Sequence, residues 1–149
     1  HKAEDHASGI SRFTIFHSIR YHMKLRTLTN SIRIRLRKSE LGTLQEKKLV
    51  EEKVSFPAGP AFSYALSISP NIDQVQATYK DHQMRISLPD TVAQQWISTN
   101  EVGINADIPL DNGEALHILI EKDFPCNDRE DEDKSDTFWE LVSEDPKAC

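Results

Sequence analysis

The chain has little of what several protein classes require. Its 149 residues include two cysteines, Cys126 and Cys149, too few for a disulfide-built secreted scaffold, a four-cysteine zinc site or an iron–sulfur cluster. Five glycines form no glycine-rich phosphate loop, and no βαβ unit is suggested around any of them. No apolar run reaches the roughly 18 residues that a membrane-spanning helix needs, so no membrane partner is expected. What remains, 38% hydrophobic and 28% charged residues, suits one soluble globular domain with polar ends, and a cytoplasmic location is expected.

The net charge of −6 is unevenly spread. Residues 1–53 carry twelve Lys and Arg against six Asp and Glu, residues 54–120 carry two against seven, and residues 121–149 carry four against eleven. The first third suits an anionic partner and the last third would repel one. Neutralisation of the basic part by the acidic end accounts for the same asymmetry without a partner. A dedicated nucleic-acid binder is usually basic overall, so nucleic acid is an unlikely partner.

Sustained patterning begins at Met23. Residues 1–22 hold four of the six histidines, His1, His6, His17 and His22, without a period, and are expected to be a disordered N-terminal extension. These histidines would bind metal only if ordered, and no metal site is assigned to them. From Asn127 the sequence runs NDREDEDKSD, which has no apolar residue to offset the entropy of ordering. Residues 127–149 are therefore expected to be an acidic, largely disordered tail, with Phe138, Trp139, Leu141 and Val142 docking back on the domain. A single domain over 23–126 lies between.

Period-two alternation dominates that domain. Leu25 to Thr29 and Ile32, Ile34, Leu36 read as a hairpin, the second strand with an aliphatic face and an arginine face. Ser39 is expected to cap a short helix through Leu41 and Leu44. Strands follow at Val50–Phe56, Phe62–Ile68, Val75–Tyr79 and Met84–Leu88, with Lys80-Asp81-His82 at a hairpin tip. Pro89 suits the first turn of a second helix that buries Val92, Ala93, Trp96 and Ile97. Val102–Ile108 and Ala115–Glu121 are the last strands, joined across Asn112-Gly113. The expected fold is α+β, a mostly antiparallel sheet or an irregular barrel of about eight strands with two short helices.

The stretch MKLRTLTNSIRIRLRKSEL from Met23, the PDTVAQQW helix start, EVGI at 101–104 and IEKDFPC at 120–126 resemble a family of small uncharacterised bacterial proteins, a resemblance that implies no activity. Asn30-Ser-Ile-Arg-Ile-Arg-Leu-Arg-Lys38 is similar to the hairpin of the AbrB- and MazE-type swapped-hairpin DNA-binding proteins, the latter antitoxins. That resemblance implies DNA-facing roles for Arg33, Arg35 and Lys38. Arg37 stands where that family has proline, and the match spans only about fifteen residues.

Arg33, Arg35 and Arg37 are the most specific electrostatic feature, because alternate residues on a strand point the same way within about 14 Å. They form a candidate anion site with Arg85, to which Lys24 and Arg26 contribute. The bland counterpart is a solvated sheet face paired with Glu51 or the acidic tail. If the strands closed into a barrel with the polar face inward, Arg33, Arg35, Arg37, Glu51, Lys53, Arg85 and Glu121 would line a charged tunnel similar to that of the triphosphate-tunnel hydrolases. The Glu-x-Glu-x-Lys signature of those enzymes is absent.

His117 is expected to be half-buried and hydrogen-bonded across strands. Asp123, Phe124 and Cys126 are expected to anchor the last strand, with Phe124 closing the core. No catalytic residue, metal ligand or cofactor is assigned. The expected function is a non-catalytic binding or interaction module for an anionic small molecule or protein. A phosphate-ester or polyphosphate hydrolase and an antitoxin-like DNA-binding protein are the alternatives.

Overall fold

Each strand-period and helix-period run of the central region forms its element in the computed structural model, which describes residues 22–124. In chain order these are β1 (Lys24–Leu28), β2 (Ser31–Leu36), α1 (Lys38–Lys47), β3 (Leu49–Val54), β4 (Phe62–Ser69), β5 (Gln76–Lys80), β6 (Gln83–Pro89), α2 (Asp90–Ser98), β7 (Gly103–Pro109) and β8 (Ala115–Lys122). Expectations for residues 1–21 and 125–149, including Cys126 and the acidic tail, lie outside the described residues.

Hairpin turns behave as their residues dictate. Asn30 (φ 50°), Asp81 (φ 50°) and His82 (φ 61°) take the left-handed conformation that tight hairpin turns demand and that Asn and Asp tolerate best. The start of α1 differs from expectation. Its N-cap is Arg37, not Ser39, because Glu40 reaches back and accepts the Arg37 backbone N–H at 2.8 Å. Pro89 ends β6 and caps α2 instead of opening its first turn.

The strands do not close into one barrel, and the pairing is mixed: four strand pairs are antiparallel and two are parallel. Two separate four-stranded sheets form: sheet A in the order β1-β2-β8-β7 and sheet B in the order β3-β4-β6-β5. In each, two antiparallel hairpins are joined through a central parallel pair, β2 with β8 and β4 with β6. Alternation reports which residues share a face and hairpin turns report local pairing. Neither reports which distant strand lies alongside, so the parallel joints were invisible to pattern.

The inward rows of both sheets and one face of each helix make a single core. Ile34, Leu36, Ile118 and Ile120 from sheet A, Leu66, Ile86 and Leu88 from sheet B, and Leu44 and Trp96 from the helices are all buried. Phe124 does not close this core, being 56% exposed, and Tyr79 is exposed at 69%. Tyr79 sits on β5, an edge strand whose side chains have a neighbouring strand on one side only.

The connectivity has an internal pseudo-two-fold. Each half of the chain is a strand–strand–helix–strand–strand unit, β1 to β4 and β5 to β8, and each sheet takes one hairpin from each half. The correspondence extends to register. Arg33 opposite Leu119 matches Arg85 opposite Ala65, and Arg35 opposite Glu121 matches Ser87 opposite Ser67. Two backbone hydrogen bonds outside the ladders repeat as well. His117 N–H to Asn30 O (2.8 Å) matches Ser63 N–H to His82 O (3.0 Å), and Ile68 N–H to Lys48 O matches Lys122 N–H to Val102 O, both 3.0 Å. Arg33, Ile34 and Leu36 are repeated identically as Arg85, Ile86 and Leu88. Helix α1 carries the chain from sheet A to sheet B, and α2 carries it back.

Candidate functional site

With Ile34 and Leu36 turned into the core, strand geometry turns Arg33 and Arg35 to the outer face of sheet A. The antiparallel register sets Lys24 beside Arg35 and Arg26 beside Arg33, and the parallel register sets Glu121 on the far side of Arg35. Lys24, Leu25, Arg26, Arg33 and Arg35 line a shallow cavity of about 340 Å³.

Carboxylates on this face are shared. Glu121 accepts a hydrogen bond from Arg35 Nε at 3.0 Å and lies 3.9 Å from Arg33 Nε. Asp123 accepts one from Lys24 Nζ at 3.0 Å and lies 3.9 Å from Arg37 Nε. Glu121 thus faces Arg33 and Arg35, and Asp123 faces Lys24 and Arg37. Asp107, on β7, is engaged with His117, which is exposed and not half-buried but does bond across strands as expected.

Arg37, past the end of β2, borders the cavity beside Glu40 and not the one lined by Arg33 and Arg35. Arg85 does not join them either. It stands on the outer face of sheet B, at the position the pseudo-two-fold relates to Arg33. Its Nη2 and Nε donate to Gln83 Oε1 at 3.1 and 3.3 Å, and Gln83 Nε2 in turn donates to Glu51 Oε2 at 2.7 Å and to Ser63 Oγ at 3.2 Å. Arg85, Gln83, Ser63, Thr78 and Lys80 border a second shallow cavity of about 360 Å³. Each half therefore presents an arginine beside a hairpin cavity. No charged tunnel exists among the described residues, because the space between the sheets is filled by the aliphatic core.

A different polar group was missed by motif reading. His22, Glu40 and Glu52 bring their ligand-capable atoms within 4.8 Å of one another, with His22 Nδ1 2.9 Å from Glu52 Oε1. Burial, assisted by the charge of Glu52, raises the Glu40 carboxyl above its ordinary pKa, against the opposing pull of the Arg37 and Met23 amides. Tyr64 is raised as well, chiefly by burial and then by Glu52 and Glu40. Its hydroxyl donates to Met23 O at 2.7 Å. The available signal was Glu52 itself, a carboxylate on the aliphatic row of its strand between Val50 and Val54.

These features define an α+β protein of two mixed sheets with an outward basic face. No described helix is long and apolar enough to cross a membrane. Residues 23–140 match the model of a family of unknown function, DUF7009, and the chain belongs to that family. No curated protein and no solved structure matches it.

Proposed function

We propose that this protein is a non-catalytic binding module whose outer face on sheet A, centred on Arg33 and Arg35, receives an anionic partner. The observation that carries this reading is the cavity bordered by Lys24, Arg26, Arg33 and Arg35, where Glu121 alone serves two guanidinium groups. Arginine's planar fork matches phosphate and carboxylate oxygens, and an incoming anion would take over the donors that Glu121 leaves unused.

Titration of the full chain with tripolyphosphate at low salt tests it. Saturable binding, weakened about ten- to a hundredfold by Arg33→Ala, is the expected result, since a charge-assisted hydrogen bond contributes about 1.5–3 kcal/mol. Absence of any heat or thermal shift with tripolyphosphate at low salt would overturn the site.

A second reading, an antitoxin-like DNA-binding protein, is favoured by the exchange of hairpins between the two halves. The swapped-hairpin proteins that residues 30–38 resemble exchange hairpins between subunits, and this chain contains both partners of such an exchange within itself. A duplex DNA arm in the same titration separates the two readings. DNA binding would require Arg33 and Arg85 together and weaken steeply with salt, whereas the small-anion site depends on Arg33 and not on Arg85.

A further inference from the structure

We propose that His22, Glu40 and Glu52 form a binding site for one divalent transition-metal ion, distinct from the cavity beside Arg33 and Arg35. Glu52 occupies an inward position of β3, opposite Tyr64, on a row otherwise built from Val50 and Val54. Glu52 is half-buried, between buried Val50 and exposed Val54, and a carboxylate so placed needs partners.

The pseudo-two-fold separates what the fold requires from what it does not: Glu40 caps the Arg37 N–H, which Pro89 lacks at the matching position, whereas nothing in the matching half calls for the carboxylate of Glu52. The positions corresponding to Glu40, Glu52 and Tyr64 are Val92, Ala106 and Ile118, all packed against the core. The same architecture is therefore completed with hydrocarbon in one half and with a polar cluster in the other.

Its geometry is that of a ligand set. The three donor groups lie within 4.8 Å of one another, so small side-chain rotations bring all three to the roughly 2.0–2.2 Å that imidazole and carboxylate ligands keep from such an ion. They border a cavity of about 620 Å³, with Arg37, Ser39, Thr43 and Lys47 also on its wall, which leaves room for water in the remaining coordination positions. The elements are held in place from behind. Arg37 N–H donates to Glu40 Oε2 at 2.8 Å, and the Tyr64 hydroxyl fixes the backbone of Met23, next to His22. One imidazole and two carboxylates suit Mn²⁺, Fe²⁺, Co²⁺ or Zn²⁺.

The test uses the full chain and Mn²⁺, followed by the paramagnetic resonance signal of the free ion. Mn²⁺ prefers oxygen donors and competes poorly for Cys126, Cys149 and a cluster of histidines. One tight equivalent is expected, above weaker binding by the carboxylates of residues 127–149, with its affinity at least tenfold lower in both Glu52→Gln and His22→Ala and unchanged in Asp107→Asn. Should Glu52→Gln not fold, Glu52→Asp, which keeps the charge but withdraws it by one methylene, is titrated instead against the same threshold. No tight equivalent in the wild-type chain, or wild-type affinity in either ligand variant, overturns the site.

Discussion

Glu121 decides how much charge sheet A has to offer. It is shared between Arg33 and Arg35, so replacing it by glutamine keeps the shape and leaves both guanidinium groups without their carboxylate. Glu121→Gln is expected to raise affinity for tripolyphosphate about three- to tenfold in the same titration. Stability is expected to change by no more than about 1 kcal/mol, as for partly exposed ion pairs generally. Glu40 carries the pH dependence. Its folded-state pKa lies above the ordinary 4.5, so the native state holds the proton more tightly than the unfolded chain. The stabilisation this provides is complete below pH 4.5 and is lost as pH rises through the folded value. Urea unfolding across that window, with chelator present, is expected to show the loss in wild type and not in Glu40→Gln. Trp96 is the largest fully buried side chain among the described residues, and its Nε1–H donates to Val102 O at 3.1 Å. Trp96→Ala is expected to cost about 3–5 kcal/mol by the same measurement. The arginine row was legible at this scale because i and i+2 spacing alone places it. The His22, Glu40 and Glu52 group was not, because its members come from the chain before β1, from a helix and from a strand of the other sheet, and no spacing unites them.

At the scale of elements, alternation located the strands and amphipathic spacing the helices, since both are local. Ends were less legible. Val54 and Phe56 continue the alternation of β3, yet the strand stops at Val54 and both side chains are exposed. Two glycines separate what an element tolerates from what a neighbour imposes. Gly42 lies inside α1 with open space where a Cβ would stand, whereas a Cβ on Gly103 would meet the Ile120 carbonyl oxygen at 2.7 Å. Gly42→Ala is therefore expected to stabilise by about 0.4–1 kcal/mol through the entropy of the unfolded chain. Gly103→Ala is expected to destabilise by about 1–3 kcal/mol, because β7 must shift against β8. Denaturant midpoints at equal slope check the pair of opposite signs.

For the whole molecule, the exchange of hairpins makes the halves inseparable. Neither sheet exists without two strands from each half, so far-UV dichroism and urea-dependent hydrogen exchange of the β2 and β6 amides are expected to report one coincident transition. Two transitions would mean that a half stands alone. This level of organisation lay beyond sequence patterning, because the repeat preserves only Arg33, Ile34 and Leu36 on its most similar strand, while the shared geometry is carried by pairings that periodicity does not encode.

The same exchange sets a schedule for synthesis. The Arg35–Glu121 bond spans 86 residues of chain, and at roughly 5–20 residues per second a ribosome needs about 4–17 s to bridge that interval. Throughout it β2 lacks the neighbour on one edge. Its row of arginines then serves an additional purpose, that of a charged guard against edge-to-edge association until the last strand arrives.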